Sequence, residues 1–356
     1  ASCIFSSQFR NVVEIMKRAK AVDPGIVTIT GGTHPTFLPE NCLERCPQLD
    51  LIARGEGEFI LLDVVRASRG EMPLDRVLDL VWREGGKMRR NGPRPPPEEL
   101  DEIPFPARDL FPLEKYDRIG QPMGIVHRRR PFMNLITSRG CPFRCTFCSS
   151  TNFWKVRYRK RSPENVLAEM EHLYRDLGVR EFKFFDDNMT TDPERAKAIF
   201  RGMIDRQLKV AWNTPNGIHA MTLDEEMLDL IKRSGGYELT LAVESGDEQV
   251  LREIINKPTS LRKVEETAKL MRQKGLGSFG FFIIGFPGET KAQIANTLEF
   301  SRRLDLDRAD FFIFNPLPGT PLFDECLERK YIEPTAMTED VDYFEPRFDT
   351  EEWTRE

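Results

Sequence analysis

The chain has 356 residues, a formal net charge of −5 and 40% hydrophobic content. That length suits about two domains, and no apolar run reaches the roughly 18 residues that a membrane span needs. The acidic balance excludes a general nucleic-acid-binding surface, which leaves two basic clusters, His127 to Arg130 and Lys155 to Arg161, to be weighed locally.

Seven cysteines are an odd number, without a secretory signal. They point to a reducing, cytoplasmic setting and to metal ligation ahead of disulfides. The chain opens on Ala1 and is expected to be a piece of a longer protein. Helical spacing runs through Val12, Val13, Met16 and Ala19 until Pro24 and Gly25 break it. IVTIT, Ile26 to Thr30, then reads as a buried strand. Gly31 and Gly32 follow at its carboxyl end, where ligands bind in open parallel sheets and glycine permits close backbone approach. His34, next in line, reads as a hydrogen-bonded or solvated turn residue. A second apolar run, LDLIARGEGE, ends at Gly55 and Gly57, and helical spacing resumes at Phe59, Leu62, Val65 and Val77. From Gly85 to Pro131 periodicity fades and proline accumulates, so this stretch continues neither a helix nor a central strand. Its Ile103, Phe105, Leu110 and Phe111 suggest a connector packed across two domains.

From Asn134 strands and helices alternate. NLITS, FKFFDDN, VAWNTPN, YELTLAVESG, SFGFFIIGFPGE and ADFFIFNPLPG are strands, separated by helices with apolar spacing. Ser162-Pro163-Glu164 and Asp192-Pro193-Glu194 mark helix starts. Thr222 with Glu225 and Thr290 with Gln293 match capping boxes. Six such repeats indicate parallel β/α architecture, either an open doubly wound sheet or a partial barrel, with chemistry at the carboxyl ends of the strands. Those ends carry the cysteine loop, then Asp186-Asp187-Asn188, Asn213 with Asn216, Glu244-Ser245-Gly246, Gly285 to Glu289, and Asn315.

In RGCPFRCTFCSS, Cys141, Cys145 and Cys148 lie within eight residues. Thiolates so spaced can face a common point and hold a soft metal centre. Three of them on a four-iron cluster leave one iron open. Structural zinc usually draws four ligands from two short pairs, and no second Cys or His pair is present. Cys3, Cys42, Cys46 and Cys326 read as packed or loop thiols. His127, His172 and His219 show no partner spacing and receive no role.

The C-x3-C-x2-C loop, with Phe147 before the last cysteine, and the rim segments after it resemble the radical S-adenosylmethionine (SAM) superfamily. RGCPFRCTFCSS, the following Trp154 and RSPE, and NPLPGTPLF resemble its cobalamin-dependent branch, which includes methyltransferases and the anaerobic porphyrin cyclase. Ser2-Cys3-Ile4 precedes Gly31-Gly32 by twenty-six residues, which resembles the second half of the cobalamin-binding signature with Ile4 in place of Leu. The resemblance implies an α/β fold: a partial (β/α)6 TIM-type barrel over 132–330, preceded by the C-terminal half of a Rossmann-like cobalamin-binding domain over 1–84. Residues 85–131 would be a linker and 331–356 the start of a truncated C-terminal region.

It also implies the site. Cys141, Cys145 and Cys148 would ligate a [4Fe-4S] cluster whose open iron takes SAM, and reductive cleavage would yield a 5′-deoxyadenosyl radical; the cofactor carries the hard chemistry. Asp186, Asp187 and Asn188 stand where the superfamily places a Gly-Gly-Glu segment for the methionine amino group, with helix capping as the rival reading. Glu244 and Ser245 match the ribose motif, the rival being a buried ion-pair glutamate. Ile284 and Gly285, within the segment that runs to Glu289, match the adenine-lining turn. Phe147 and Asn315 complete the SAM contacts, and Gly31 with Gly32 would meet the cobalamin. Arg157, Arg159 or Arg161 could clamp a carboxylate in a guanidinium fork; the rival is a solvated approach to the next helix. The implied activity is cobalamin-dependent methyl transfer to an unactivated carbon or phosphinate centre of a small molecule. The implied electron donor is a flavodoxin or ferredoxin. Oxidative ring closure on a porphyrin is the alternative within the family, and a metal-stabilised binding module without turnover the alternative outside it. A tRNA-modifying methylthiotransferase would bring a second cysteine set and a basic appended domain, which this sequence lacks.

Overall fold

The computed structural model describes residues 1–119, 127–155, 158–333 and 344–355. Arg157 and residues 334–343 lie outside them. The chain forms two compact units: Ala1–Pro97 with Phe147–Val156 and Asn315–Phe348, and Glu98–Thr146 with Arg157–Phe314 and Asp349–Glu356. Among the described residues no helix is long and apolar enough to cross a membrane.

The first unit begins with α1 (Phe9–Val22), whose Phe9, Val12 and Met16 form one buried face at helical spacing. There follow β1 (Ile29–Gly31), α2 (Thr33–Phe37), α3 (Pro39–Arg45), β2 (Leu51–Ala53), α4 (Gly57–Ser68), β3 (Leu80–Glu84) and β4 (Lys87–Arg90). The sheet order is β1-β2-β3-β4, with β1 and β2 parallel and the other two pairs antiparallel. Strand alternation builds two cores. Ile52 and Val81 face Phe9, Val12, Cys42 and Leu43, while Leu51, Ala53, Leu80 and Trp82 face Ile60 and Val64 of α4.

Several sequence expectations shift here. The first strand starts at Ile29, because Ile26 and Val27 are exposed. His34 lies within α2, not in a turn. On α4 the buried phase is Ile60 and Val64, while Leu62 and Val65 face solvent. Val77 is buried, but it follows the helix and leads into β3. Gly85 and Gly86, both at positive φ, form the turn of the β3–β4 hairpin, so a linker does not begin at Gly85. Cys3, Cys42, Cys46 and Cys326 are buried free thiols.

Next in chain order come α5 (Leu113–Ile119), β5 (Phe132–Leu135), β6 (Ser138–Arg139), α6 (Ser150–Trp154), β7 (Arg159–Lys160), α7 (Pro163–Arg175) and β8 (Glu181–Phe184). Then follow α8 (Pro193–Asp205), β9 (Ala211–Ile218), α9 (Glu225–Arg233), β10 (Gly236–Glu244), α10 (Leu261–Gln273), β11 (Gly277–Ile284), α11 (Lys291–Arg303), β12 (Arg308–Ile313) and α12 (Pro321–Glu328). Of these α6 and α12 fall in the first unit. The second unit is a parallel sheet of order β12-β11-β10-β9-β8-β5. Each strand is added beside its predecessor, so right-handed crossovers place every connecting helix on the same face. This decides between the two architectures: the sheet is a singly wound partial barrel with β5 and β12 at its edges. Phe182, Phe184, Trp212, Leu239, Leu241 and Phe282 pack outward on the helices.

The opposite face is polar at its floor. Glu181 and Lys183 are fully buried and paired at 2.6 Å. The Tyr237 hydroxyl donates to Glu181 Oε1 at 2.8 Å, and the backbone N–H groups of Arg128 and Arg129 each donate to Oε2 at 2.7 Å. Burial alone would raise the Glu181 pKa, yet Lys183, the Arg129 amide and Tyr237 hold it below the usual carboxylate range. The basic cluster at 127–130 is thus part of the barrel floor, with Arg128 also stacked over Tyr237.

Helix starts follow the sequence signals in three of four cases. Ser162 accepts from Asn165 N–H and Asp192 from Arg195 N–H, and Thr290 with Gln293 forms a complete capping box. Thr290→Ala is expected to cost about 1 kcal/mol in urea unfolding, and an unchanged midpoint would show the box to be idle. At α9 the cap is Asp224, which accepts from Met227 N–H at 2.6 Å, while Thr222 sits in a preceding 3-10 turn. Its carboxylate is the stronger acceptor and holds the extended cap conformation. In the proline-rich stretch Leu110 and Phe111 are exposed, contrary to a packed connector, and Phe105 is half-buried under Arg161.

Candidate active site

The cysteine loop leaves β6 through Gly140, at φ 84°, whose N–H donates to Asp187 Oδ2 at 2.9 Å. Within the second unit Cys141 and Cys145 are half-buried free thiols. Their segment is fastened from across the barrel: Thr146 donates through N–H to Ile255 O and through its hydroxyl to Ile254 O, and Asn256 Nδ2 donates to Arg144 O. Phe143 stacks on His219 at 4.6 Å. Burial raises both thiols, Cys145 to about 11, and the Lys257 ammonium pulls both back toward the thiolate. Phe147 and Cys148 fall in the first unit, where Cys148 is exposed.

After β8 three adjacent polar residues separate in role. Asp186 is buried and accepts from the Thr137 N–H, the Thr137 hydroxyl and the Ser138 hydroxyl. It ties the strand end to Thr137 and Ser138. Asp187 is exposed and anchors the start of the cysteine loop. Asn188 is buried, accepts the His219 N–H at 3.3 Å, and its Nδ2 has no hydrogen-bond partner. From β9, Asn213 donates to Glu238 Oε1 at 3.2 Å, and Asn216 to Phe185 O at 2.9 Å.

At the end of β10 a register shift leaves Glu244 at φ 68°, with its carboxylate 2.9 Å from Lys257 Nζ. Lys257 thus touches the ribose candidate and also acts electrostatically on Cys141, Cys145 and His219. Sequence reasoning missed it, because a lone lysine before Pro258 carries no spacing signal. Ser245 is fully buried and bonded to Thr297 at 3.0 Å, so it locks β10 to α11. The β11 turn follows Ile284: Gly285, at φ 82°, and Phe286 donate their N–H groups to Glu289 Oε2 at 2.6 and 3.1 Å. Trp353 packs against Gly285.

Burial pushes Glu289 up to about 7, against the pull of its two amides. A carboxyl raised in the fold contributes stability below its unfolded pKa near 4.5 and loses it as pH rises through 7. Relative to Glu289→Gln, which keeps the acceptor without the charge, the wild type should lose about 3 kcal/mol between pH 4.5 and 8. Urea unfolding at the two pH values checks this, and a constant difference would refute it.

The basic run divides likewise. Arg161 is held by Glu169 at 2.5 Å, Lys160 by Asp192 and Lys155 by Asp79. Arg161 is therefore no carboxylate clamp. In the first unit Gly31 ends β1, and a Cβ on Gly32, at φ 112°, would stand 2.5 Å from Cys3 O. The close approach that demands glycine there is that of the Cys3 backbone. Asn315 lies just past β12, in the first unit, and is nearly buried.

The model of the radical SAM superfamily matches residues 135–301, and that of the B12 binding domain residues 1–65. Cytidylyl-2-hydroxyethylphosphonate methyltransferase of Streptomyces wedmorensis is 35% identical over 94% of this chain and 67% of its own length. This chain belongs to the cobalamin-dependent radical SAM enzymes. Anaerobic magnesium-protoporphyrin IX monomethyl ester cyclase of Rubrivivax gelatinosus is 32% identical over 86% of this chain and 54% of its own. The fold matches that of TsrM from Kitasatospora setae, a radical SAM methyltransferase solved with tryptophan and a SAM analogue, at a TM-score of 0.77 and 19% identity, covering 92% of this chain and 64% of that one. The chain thus spans about two thirds of its methyltransferase relative and about half of the cyclase.

Membership brings three cofactors: a [4Fe-4S] cluster, SAM and cobalamin. The residues fit them. Among the described residues no group of three or more His, Cys, Asp and Glu side chains is set around a single metal ion; cluster thiolates bind different irons and need not converge on one atom. Asn188 Nδ2, Asn213 Oδ1, Thr214 Oγ1 and His219 Nδ1 are buried without partners in the second unit. Such orphaned groups suit a ligand that carries hydroxyls and ring nitrogens. In the first unit, His34 Nε2 is orphaned in the same way.

Proposed function

We propose that this enzyme transfers a methyl group to an unactivated carbon, or to a phosphinate centre, of a small molecule. The observation that carries the reading is the pairing of a cysteine loop at the mouth of a six-stranded partial barrel with a B12 binding domain in a chain 35% identical to a phosphonate methyltransferase. When bound, the cluster and SAM supply a 5′-deoxyadenosyl radical, and cobalamin a transferable methyl group. The chain's own residues hold and orient. Cys141, Cys145 and Cys148 ligate the cluster. Asp187 and Asn188 face the methionine end of SAM, Glu244 accepts from the ribose hydroxyls while Lys257 fixes its carboxylate, and Ile284 with Gly285 lines the adenine. Phe147 and Asn315 are further SAM-contact candidates by the family resemblance. Electrons come from a flavodoxin or ferredoxin, the setting is cytoplasmic, and no nucleic acid is involved.

Anaerobic reconstitution followed by reduction with SAM tests the reading. Methyl transfer through cobalamin consumes a second SAM and releases S-adenosylhomocysteine together with 5′-deoxyadenosine. If 5′-deoxyadenosine forms without S-adenosylhomocysteine under cobalamin-loaded turnover, the oxidative cyclase reading replaces it.

A further inference from the structure

At the carboxyl end of β1, in the first unit, lies a cavity of about 140 Å³. Ile4, Phe5, Phe37 and Leu317 give it apolar walls, and Ser6 and His34 add polar atoms. A space of about 150 Å³ accommodates a benzene-sized group, so this one takes a short side arm and not a whole macrocycle.

His34 is 2% exposed. Its ring packs on Phe9 at 5.0 Å, and Nδ1 stands 3.0 Å from Ser6 Oγ. Nε2 is buried and has no hydrogen-bond partner, an unmet bond that a ligand can supply. Burial, with the charge of Arg45 adding to it, lowers the ring to about 4, so it is neutral near pH 7.

A neutral imidazole fixed on a hydroxyl is adaptable. When Nδ1–H donates to Ser6, Nε2 accepts; when the Ser6 hydroxyl donates to Nδ1, Nε2–H donates. A primary carboxamide, which both donates and accepts, pairs with either state. A carboxylate or phosphate uses only the second, and would lose its hydration where the lining contains no Lys or Arg. The corrin ring is fringed with primary carboxamide arms. Resting on the cobalamin reading of this unit, we infer that the cavity receives one carboxamide arm of the corrin, with His34 Nε2 as its hydrogen-bond partner. His34 is then a residue that seats the ring and does not ligate cobalt.

The test is equilibrium binding to the purified chain. The probes are hydroxocobalamin and the monocarboxylic acids made by hydrolysing single corrin amides. Wild type should bind one monocarboxylate at least about tenfold more weakly than the others, corresponding to about 1.4 kcal/mol. His34→Phe should weaken hydroxocobalamin by a similar factor and erase that discrimination. Equal binding of all monocarboxylates by wild type, a measurement independent of how any variant folds, overturns the proposal. So does nitrogen hyperfine splitting in the electron paramagnetic resonance spectrum of bound cob(II)inamide that disappears in His34→Phe, since that makes His34 a cobalt ligand. Failure of wild type to bind hydroxocobalamin at all overturns the cobalamin reading itself.

Discussion

Cys145→Ala should keep its fold and lose its chemistry. Truncating one half-buried thiol removes little apolar contact, so circular dichroism and the thermal transition should stay close to wild type. Iron uptake and 5′-deoxyadenosine formation should fall by more than the roughly 100-fold that loss of a ligand's supporting residue costs. The reason is local. The segment is held by backbone bonds from Thr146 to Ile255 and by Asn256 to Arg144, none of which uses the sulfur. Retention of iron and of 5′-deoxyadenosine in this variant would refute the cluster assignment.

Glu181→Ala should have the opposite character, damaging the fold. It would strand the Lys183 ammonium, which has no exposed side-chain surface, and two backbone N–H groups of Arg128 and Arg129. Breaking a buried pair on one side costs about 3–5 kcal/mol, read as a lowered urea midpoint. The double change Glu181→Gln with Lys183→Met should cost less than the sum of the single changes, because it removes the orphaned charge. Additivity in that cycle would show that the two residues do not act as a pair.

Much of the barrel was legible because its strands are short apolar runs punctuated by glycine, proline and capping residues. The six strands and the caps at Ser162, Asp192 and Thr290 all follow from such local signals. What periodicity could not reveal is how polar groups are spent. Asp186, Ser245 and Arg161 show no partner in one dimension, and the fold gives each one from another element: Thr137, Thr297 and Glu169. Lys257 and His219 were invisible for the same reason. Each gains meaning only from what the sheet brings beside it, Glu244 in one case and Phe143 in the other. In the first unit Val65 passed for a buried residue because three-to-four spacing occurs on both sides of α4, and only the sheet decides which side is covered.

The bonds that fasten the cysteine loop bear on the order in which the protein matures. Thr146 is secured by Ile254, 108 residues later in the chain. A nascent polypeptide emerging from the ribosome therefore presents Cys141 and Cys145 well before their clasp has been synthesised. Until then the thiols stand on an untethered loop, open to oxidation and to adventitious metals. On the proposed assignment of the cluster to these cysteines, its insertion is expected only once β10 and the residues through Ile255 have been synthesised, late in the life of the chain.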